Sequence, residues 1–458
     1  MKKVRQGLLC LTFGAITLLG RPARAEVTLV KADGWELFSS GRINGFVSYV
    51  NGQGFPLASK DSNGQLVALR GGGLSQGDAS VEQSVDDMMQ PLDQGKIVGM
   101  RVRSGFLGNI LGFGVRRKLT NDGTTLTGYI AIWSFIESEA RRKYRPVPAD
   151  VREGYLKLEG PWGSLLVGRS LTLFSRGATA INFLYGHGLG LGYPGSVDIN
   201  GPAAGHIGFG VLANGFAAGV VYATPKFAGL QLTAGAFDPS MLAGSWERTK
   251  YLRPEAELTY DLELGNVGKL HLFANGGWQK VYVGGSTRSA TAYGTGYGGR
   301  LEVGPVHLGV AGHWGKGLGL SYALESNDAT VASTEQQYEL RTTDGYYGQL
   351  MLALGSKVDL KGGVGITRVK LLDSDRADTR NDDNDPNTPT ANDDANPAAQ
   401  DPLAWSVAKH QLGMSGGVTY HFTKNLHLSL DYFRANFAWY LGERQAVNFV
   451  NAGATMLW

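Results

Sequence analysis

Cysteine is nearly missing from this chain. Its only cysteine, Cys10, falls within the first two dozen residues. A disulfide scaffold is therefore excluded, and stability must come from burial or from closure of a sheet. Long apolar runs are also missing. Beyond the N-terminus no stretch approaches the 18 or so residues that a spanning helix needs. An excess of charge is lacking too. The formal net charge is +3, but Lys2, Lys3, Arg5, Arg21 and Arg24 contribute five positive charges before residue 26. Without them the remainder stands at −2, so the basic pI says nothing about nucleic acid, and no nucleic-acid partner is expected. There is no phosphate-binding G-x-x-x-x-G-K-[ST] loop and no H-E-x-x-H pair.

What is present begins with an export signal. Lys2, Lys3 and Arg5 precede an apolar core over 7–19, broken by Gly20 and Pro22, and Ala23-Arg24-Ala25 offers a small-residue cleavage site before Glu26. Processing at Cys10 as a lipoprotein would leave almost no apolar segment before the cut, which argues against it. The expected product, residues 26–458, has 433 residues and reads as a single domain.

Glycine is also present in excess: 67 of 458 residues, about twice the usual share, with aromatics at 10%. This suits tight turns and aromatic girdles. The dominant pattern is period two. In residues 255–264 Ala256, Leu258, Tyr260, Leu262 and Leu264 alternate with Glu255, Glu257, Thr259, Asp261 and Glu263. Successive side chains of a strand point to opposite faces, so this is a strand with one apolar and one polar face. Residues 411–422 and 426–432 repeat the pattern.

Sixteen such strands are predicted, over 41–50, 110–119, 124–135, 151–158, 165–170, 211–223, 229–237, 255–264, 269–282, 294–303, 306–316, 346–354, 358–370, 410–422, 426–440 and 447–458. The connections alternate. Short ones carry turn residues, as in Thr120-Asn121-Asp122-Gly123, Gly160-Pro161-Trp162-Gly163 and Gly304-Pro305. Long ones occupy 51–96, 136–150, 171–210, 238–254, 317–345 and 371–409, with 283–293 intermediate and 441–446 the one short member. A soluble sandwich has no reason to alternate so regularly. A transmembrane antiparallel β-barrel does, with short periplasmic turns, long external loops, an apolar face toward lipid and a polar face toward the lumen. The last strand ends on Trp458 after Val450, Ala452, Ala454 and Met456.

Several segments resemble the Gram-negative porin family: GRINGF at 41–46, LGFGVRRK at 111–118, TLTGYIAIW at 125–133, YLKLEGPWGSLLVGR at 155–169 and AGVVYATPKFAGLQL at 218–232. The resemblance follows strand order through the whole exported chain. It implies a 16-stranded barrel in the outer membrane, usually a homotrimer, that conducts ions and small hydrophilic solutes. It implies that the third external loop, about residues 170–206, folds into the lumen as a constriction. It also implies that the assembly machinery reads the terminal aromatic Trp458.

Candidate pore-lining residues follow from alternation and from this resemblance. Ile43, Val47 and Tyr49 face lipid, which sends Arg42 and Asn44 inward. Leu111, Phe113 and Val115 send Arg116 and Lys118 inward, and Tyr297, Leu301 and Val303 do the same for Arg300 and Glu302. Arg101 and Arg103 share a face and continue the second strand upward. Arg169 leads into the inward loop, which holds one acidic residue, Asp198, and Arg176. A row of wall cations would set a transverse field across a narrow pore; the plainer alternative is paired, solvated lumen charge. The expectation is a weak anion preference, opposed by the inward acids of 255–263.

Residues 373–401 hold nine aspartates and two arginines, for a net −7, and read as a solvated external loop. Asp373, Asp375 and 381–385 offer oxygen ligands for calcium but lack the glycine and final glutamate of an EF-hand loop. No cofactor or metal is expected. G-x-S-x-G occurs at 413–417 and 73–77, inside a strand and in a glycine-rich loop, neither of which is a nucleophile elbow. Two alternatives stay open: an outer-membrane phospholipase-like enzyme, tested by lipase assay, and a non-conducting structural or adhesion barrel, tested by conductance.

Overall fold

In a computed structural model, residues 26–56, 58–60, 66–69, 72–74, 96–106, 108–134, 136, 149–184, 205–239, 246–247, 251–283, 289–321, 323–324, 331–333, 338–372 and 407–458 are described. The first half of the chain contains β1 (Val27–Ala32), β2 (Trp35–Gln53), β3 (Ala58–Lys60), β4 (Leu66–Ala68), β5 (Lys96–Arg103), β6 (Asn109–Lys118), β7 (Thr125–Ser134), β8 (Ala149–Gly160), β9 (Gly163–Leu171), the one-turn helix α1 (Arg176–Ala180), β10 (Phe216–Ala223) and β11 (Leu230–Phe237). The second half contains β12 (Trp246–Glu247), β13 (Arg253–Glu263), β14 (Gly268–Val283), β15 (Ser289–Val303), β16 (Val306–Lys316), β17 (Val331–Ser333), β18 (Tyr338–Leu340), β19 (Thr342–Leu354), β20 (Val358–Lys370), β21 (Ala408–His421), β22 (Leu426–Trp439) and β23 (Arg444–Leu457).

Sixteen antiparallel staves close into one barrel. Each wall strand pairs with its sequence neighbour, and β23 returns to β2 in the register Arg42↔Leu457 to Gly52↔Val447. The second stave is made of two pieces. β5 pairs with Phe46–Gln53 and β6 with Trp35–Arg42, both on the same edge of β2. Arg101 and Arg103 therefore extend the second strand upward, after an interruption at residues 104–108. Asn44 fills that interruption: its Oδ1 accepts from Gly105 N at 2.7 Å and its Nδ2 donates to Gly108 O at 2.9 Å. Closure satisfies the backbone groups that lipid could not, each of which would cost several kcal/mol if left unpaired.

The alternation that marked the strands now sorts their faces. Val47, Val98, Leu156, Val220 and Val364 are exposed on the outside, whereas Phe46, Ile97, Phe237 and Phe449 are buried inside. Aromatic pairs sit near both ends of the outer face: Trp162 stacks on Tyr222 beside a short turn, and Tyr293 meets Trp314 edge-on near the long loops. Among the described residues no helix is long and apolar enough to cross a membrane.

Many boundaries differ by a few residues from the sequence expectation, the tenth stave for instance starting at Ser289 and not 294. The first wall strand starts at Trp35, not 41, and is preceded by β1, which forms a hairpin with it. Residues 211–215 belong to the inward loop, and the strand begins at Phe216. The twelfth stave starts at Thr342, four residues early. β1 lies on the same edge of β2 as β23, with Val27 opposite Ser39, next to the mutual backbone hydrogen bonds of Gly41 and Trp458.

Candidate constriction site

Between β9 and β10 the chain turns into the barrel. Leu173 N and Phe174 N donate to Glu255 Oε2 at 2.6 and 2.8 Å. Ser175 N donates to Asn275 Oδ1 at 3.3 Å. Arg176, first residue of α1, donates through Nε to Glu257 Oε2 at 2.8 Å and makes a second, shorter contact through Nη2. Further along, Phe183 N donates to Gln349 Oε1 at 2.8 Å, while Gln349 Nε2 donates to Ile181 O at 2.7 Å. Inward positions of β13, β14 and β19 supply these partners. The loop is thus held across the lumen by side chains from one arc of the wall.

Its returning arm is held by the next strands. Gly210 N donates to Thr367 Oγ1 at 2.8 Å, and Gln411 Nε2 donates to Gly208 O at 2.9 Å. Gly210 has φ +90°, and a Cβ there would lie 2.2 Å from Tyr346 O, so only glycine lets the loop touch the β19 backbone. Phe209 packs against Phe433 and Phe437 inside the barrel. Phe55, Leu69 and Leu74 from the first external loop join the same apolar cluster, as do Leu371 and Val407. External segments thus converge inside the mouth and narrow it from one side. His206 is fully buried there, 2.7 Å from Ser415 Oγ and packed on Tyr347 and Phe433. Burial pushes its imidazole down to about 3, so it stays neutral near pH 7.

The nine candidate residues fall into four groups. Arg42, Arg101 and Arg103 occupy inward positions on the β2 and β5 arc. Arg42 Nε donates to Gly108 O at 3.1 Å; Arg103, wholly buried, donates to Ser48 Oγ at 2.7 Å and Asn451 Oδ1 at 3.0 Å. Arg101 is exposed, with Nη1 on Met100 O at 2.9 Å. Arg116 and Lys118 lie low on the wall beside a short turn. Arg116 is clamped by Glu26 and Glu36, each at 2.8 Å, and lies over the Phe38 ring; Lys118 is exposed. Arg176 and Arg300 are paired with Glu257 and Glu302, and Arg300 also covers the Phe183 ring. Arg169 and Asp198 do not join the site as described. Arg169 is opposite Gly154 and Ala218, on the outward face it shares with Val167 and Val220, because Leu166, Gly168 and Ser170 take the inward positions. Asp198, the glycine run 186–192 and the aspartate segment 373–401 with its possible calcium ligands lie outside the described residues.

Sequence reasoning missed the anchors. Glu255 and Glu257 carried a signal, two acids on one inward face that oppose an anion preference, but no partners were assigned to them. Instead Glu255 holds Arg253 at 2.8 Å as well as the loop, Glu257 holds Arg176, and Asp261 is bonded to His271 at 2.6 Å and Lys226 at 2.5 Å. Asn275, Gln349, Thr367 and Gln411 carried no signal beyond facing inward.

A closed barrel whose lumen is crossed by one of its own loops is built as a diffusion channel: its wall is lipid-facing outside and polar inside, and the loop sets the aperture. The chain belongs to the Gram-negative porin family, whose model matches residues 21–455. It is an outer-membrane porin, a channel for small solutes. Among solved structures it is similar to the outer-membrane channel DcaP of Acinetobacter baumannii, at 14% identity and a TM-score of 0.61, covering 94% of this chain and 100% of that one. It is also similar to an anion-selective porin from Comamonas acidovorans, at 13% identity and a TM-score of 0.56, covering 93% and 100%. No curated protein sequence gives a significant match.

Proposed function

We propose that this porin passes small anions in preference to cations. The observation that carries the reading is the fate of the inward acids on β13. Glu255 and Glu257 are spent on the loop backbone, Arg253 and Arg176. The strand that should have favoured cations is thereby neutralised, while Arg42, Arg101 and Arg103 take inward positions on the β2 and β5 arc, Arg101 exposed and the other two buried. The Comamonas acidovorans protein is described as anion-selective, and its likeness to this chain is one of fold. The test is reversal potential across a planar bilayer in a salt gradient. Anion preference should persist at about 1 M salt, where the Debye length is about 3 Å, because charge beside the aperture acts at close range. Charge on external loops should count only near 0.1 M, where that length is about 10 Å. Cation selectivity at about 1 M that is insensitive to Arg42→Ala would refute the proposal.

The same reading includes a homotrimer, a constriction loop spanning about residues 170–206, Asp198 and Arg176 as its charged members, and release of the leader at Ala25-Glu26. It includes recognition of the strand ending in Trp458 by the barrel-assembly machinery, and a channel with no catalytic role. Sedimentation of the detergent-solubilised protein tests the trimer. A lipase assay tests the phospholipase-like alternative, and N-terminal sequencing of the outer-membrane form tests the cleavage.

A further inference from the structure

On the outward face, the upper ends of four neighbouring strands form a graded boundary. Strand register aligns their outward residues in rows. The lowest of three successive rows holds Gly312, Tyr346, Ile366 and Leu412. The next holds Trp314, Asp344, Arg368 and His410, and the one above it Lys316, Thr342 and Lys370. Rows are spaced by two residues, about 7 Å along a strand, and neighbours within a row by about 4.8 Å. Within that small area the surface passes from aliphatic through an aromatic belt to three cations. Trp prefers the headgroup level of a membrane, so the cations stand level with headgroups on the long-loop side.

The cluster has internal order. Asp344 is almost fully buried, and its carboxylate takes Arg368 Nε at 2.9 Å and Lys370 Nζ at 3.5 Å. Arg368 lies over the Tyr346 ring, 5.4 Å from its centroid. The carboxylate is underneath, while the Arg368 and Lys370 side chains stay 48% and 58% exposed. Lys316 is exposed beside them. At the opposite end of the same strands the outward positions are Val306, Leu354, Val358, Tyr420 and Phe422, with no charge. Among the outward strand positions the cations are therefore confined to one rim; at the other end the nearest is Lys357, in the turn, where its Nζ donates to Phe422 O at 3.4 Å.

We infer that Lys316, Arg368 and Lys370 form a binding site on the outer wall for a phosphate-bearing lipid headgroup of the external leaflet. The guanidinium and the two ammonium groups supply diverging donors for phosphate oxygens, and Asp344 fixes the Arg368 fork on its ring. Trp314 and Tyr346 flank the acyl chains just below. A protein partner would need an apolar centre, and the row at the cations' level offers a single large apolar side chain, Trp314.

The probe is lipid A in its bisphosphorylated and dephosphorylated forms, mixed into phosphatidylcholine nanodiscs around the full chain. Native mass spectrometry then counts the lipid retained. The wild type should keep the bisphosphorylated form and lose the dephosphorylated one. The Lys316→Gln, Lys370→Gln double variant should retain roughly thirtyfold less, the scale set by two lysines beside an anionic surface at about 1 kcal/mol each, with unchanged single-channel conductance because both residues face away from the lumen. Anomalous gel migration before boiling verifies that the variant barrel is closed; the single Lys370→Gln variant serves if the double is not. Equal retention of the two lipids, equal retention by wild type and variant, or a variant that loses its oligomeric size instead of its lipid would each overturn the site.

Discussion

Glu255 offers the sharpest perturbation of the aperture. Its Oε2 accepts two loop N–H groups at 2.6 and 2.8 Å, and its Oε1 faces Arg253 Nε at 2.8 Å. Both side chains are essentially removed from solvent. Glu255→Ala deletes two hydrogen bonds to a charged acceptor, worth about 1.5–3 kcal/mol each. It also removes one member of a buried ion pair, a loss of about 3–5 kcal/mol. These terms overlap, so the expected loss is on the order of 4 kcal/mol, or a factor of about a thousand in the balance between docked and released loop base. The exposed pair of Lys226 and Asp261 on the same side of the barrel is worth about 1 kcal/mol at most, and breaking it should leave the aperture alone. Glu255→Gln keeps a carbonyl acceptor and should lose less than Glu255→Ala. The assay is single-channel recording with limited proteolysis of residues 172–184. Glu255→Ala should give noisier, larger currents and faster cleavage, with Glu255→Gln between it and wild type. A Glu255→Ala channel with wild-type current, noise and cleavage would show that these bonds do not hold the loop.

Other outcomes follow from the same geometry. Arg116→Ala should shift reversal potential less than Arg42→Ala, because Arg116 lies low on the wall beside a short turn, away from the loop that sets the aperture, even though its loss uncovers Glu26 and Glu36; the opposite order would place the aperture lower on the wall. Deleting Trp458 removes its hydrogen bonds to Gly41 and its ring contact there, and should lower the yield of heat-modifiable protein in the outer membrane; an unchanged yield would count against a terminal signal. His206 is buried with its imidazole held near 3 against an ordinary value of about 6.5, so the folded form binds fewer protons than the unfolded one. Its contribution is complete above pH 6.5 and declines as pH falls toward 3. Wild type should therefore lose thermal stability more steeply than His206→Gln between pH 6.5 and 4.5, and parallel curves would refute this. Unboiled protein should migrate anomalously in detergent gels and give a β-type circular dichroism spectrum, since closure leaves no free wall edge; a helical spectrum would end the barrel reading.

The wall was legible because lipid outside and water inside impose opposite chemistry on adjacent residues, which writes period two into strands such as β13 and β22. Legibility failed where both faces are apolar. Leu166 and Val167 are neighbours of similar character, yet Leu166 packs inward with Val221 and Phe237 while Val167 faces out. Arg169 was consequently expected in the lumen. It failed again at β1 and the start of β2, where Trp35 to Ser40 alternate only weakly. For the aperture, alternation reports which way a side chain points but not what it meets. Glu255 and Glu257 were read as inward but given no partners, because those partners, Leu173, Phe174 and Arg176, lie some eighty residues away.

The hairpin strand β1 has a topological consequence. β23 and β1 both run antiparallel to β2 along the same edge, Trp458 beside Gly41 and Val27 opposite Ser39. Taken together they make one continuous stave with a nick in it. From residue 27 to residue 458 the wall is in effect a ring with a single covalent interruption at that stave, and its hydrogen bonds do not depend on where the interruption falls. A circular permutant that joins residue 458 to residue 26 and opens the chain within an external loop should therefore keep the same wall.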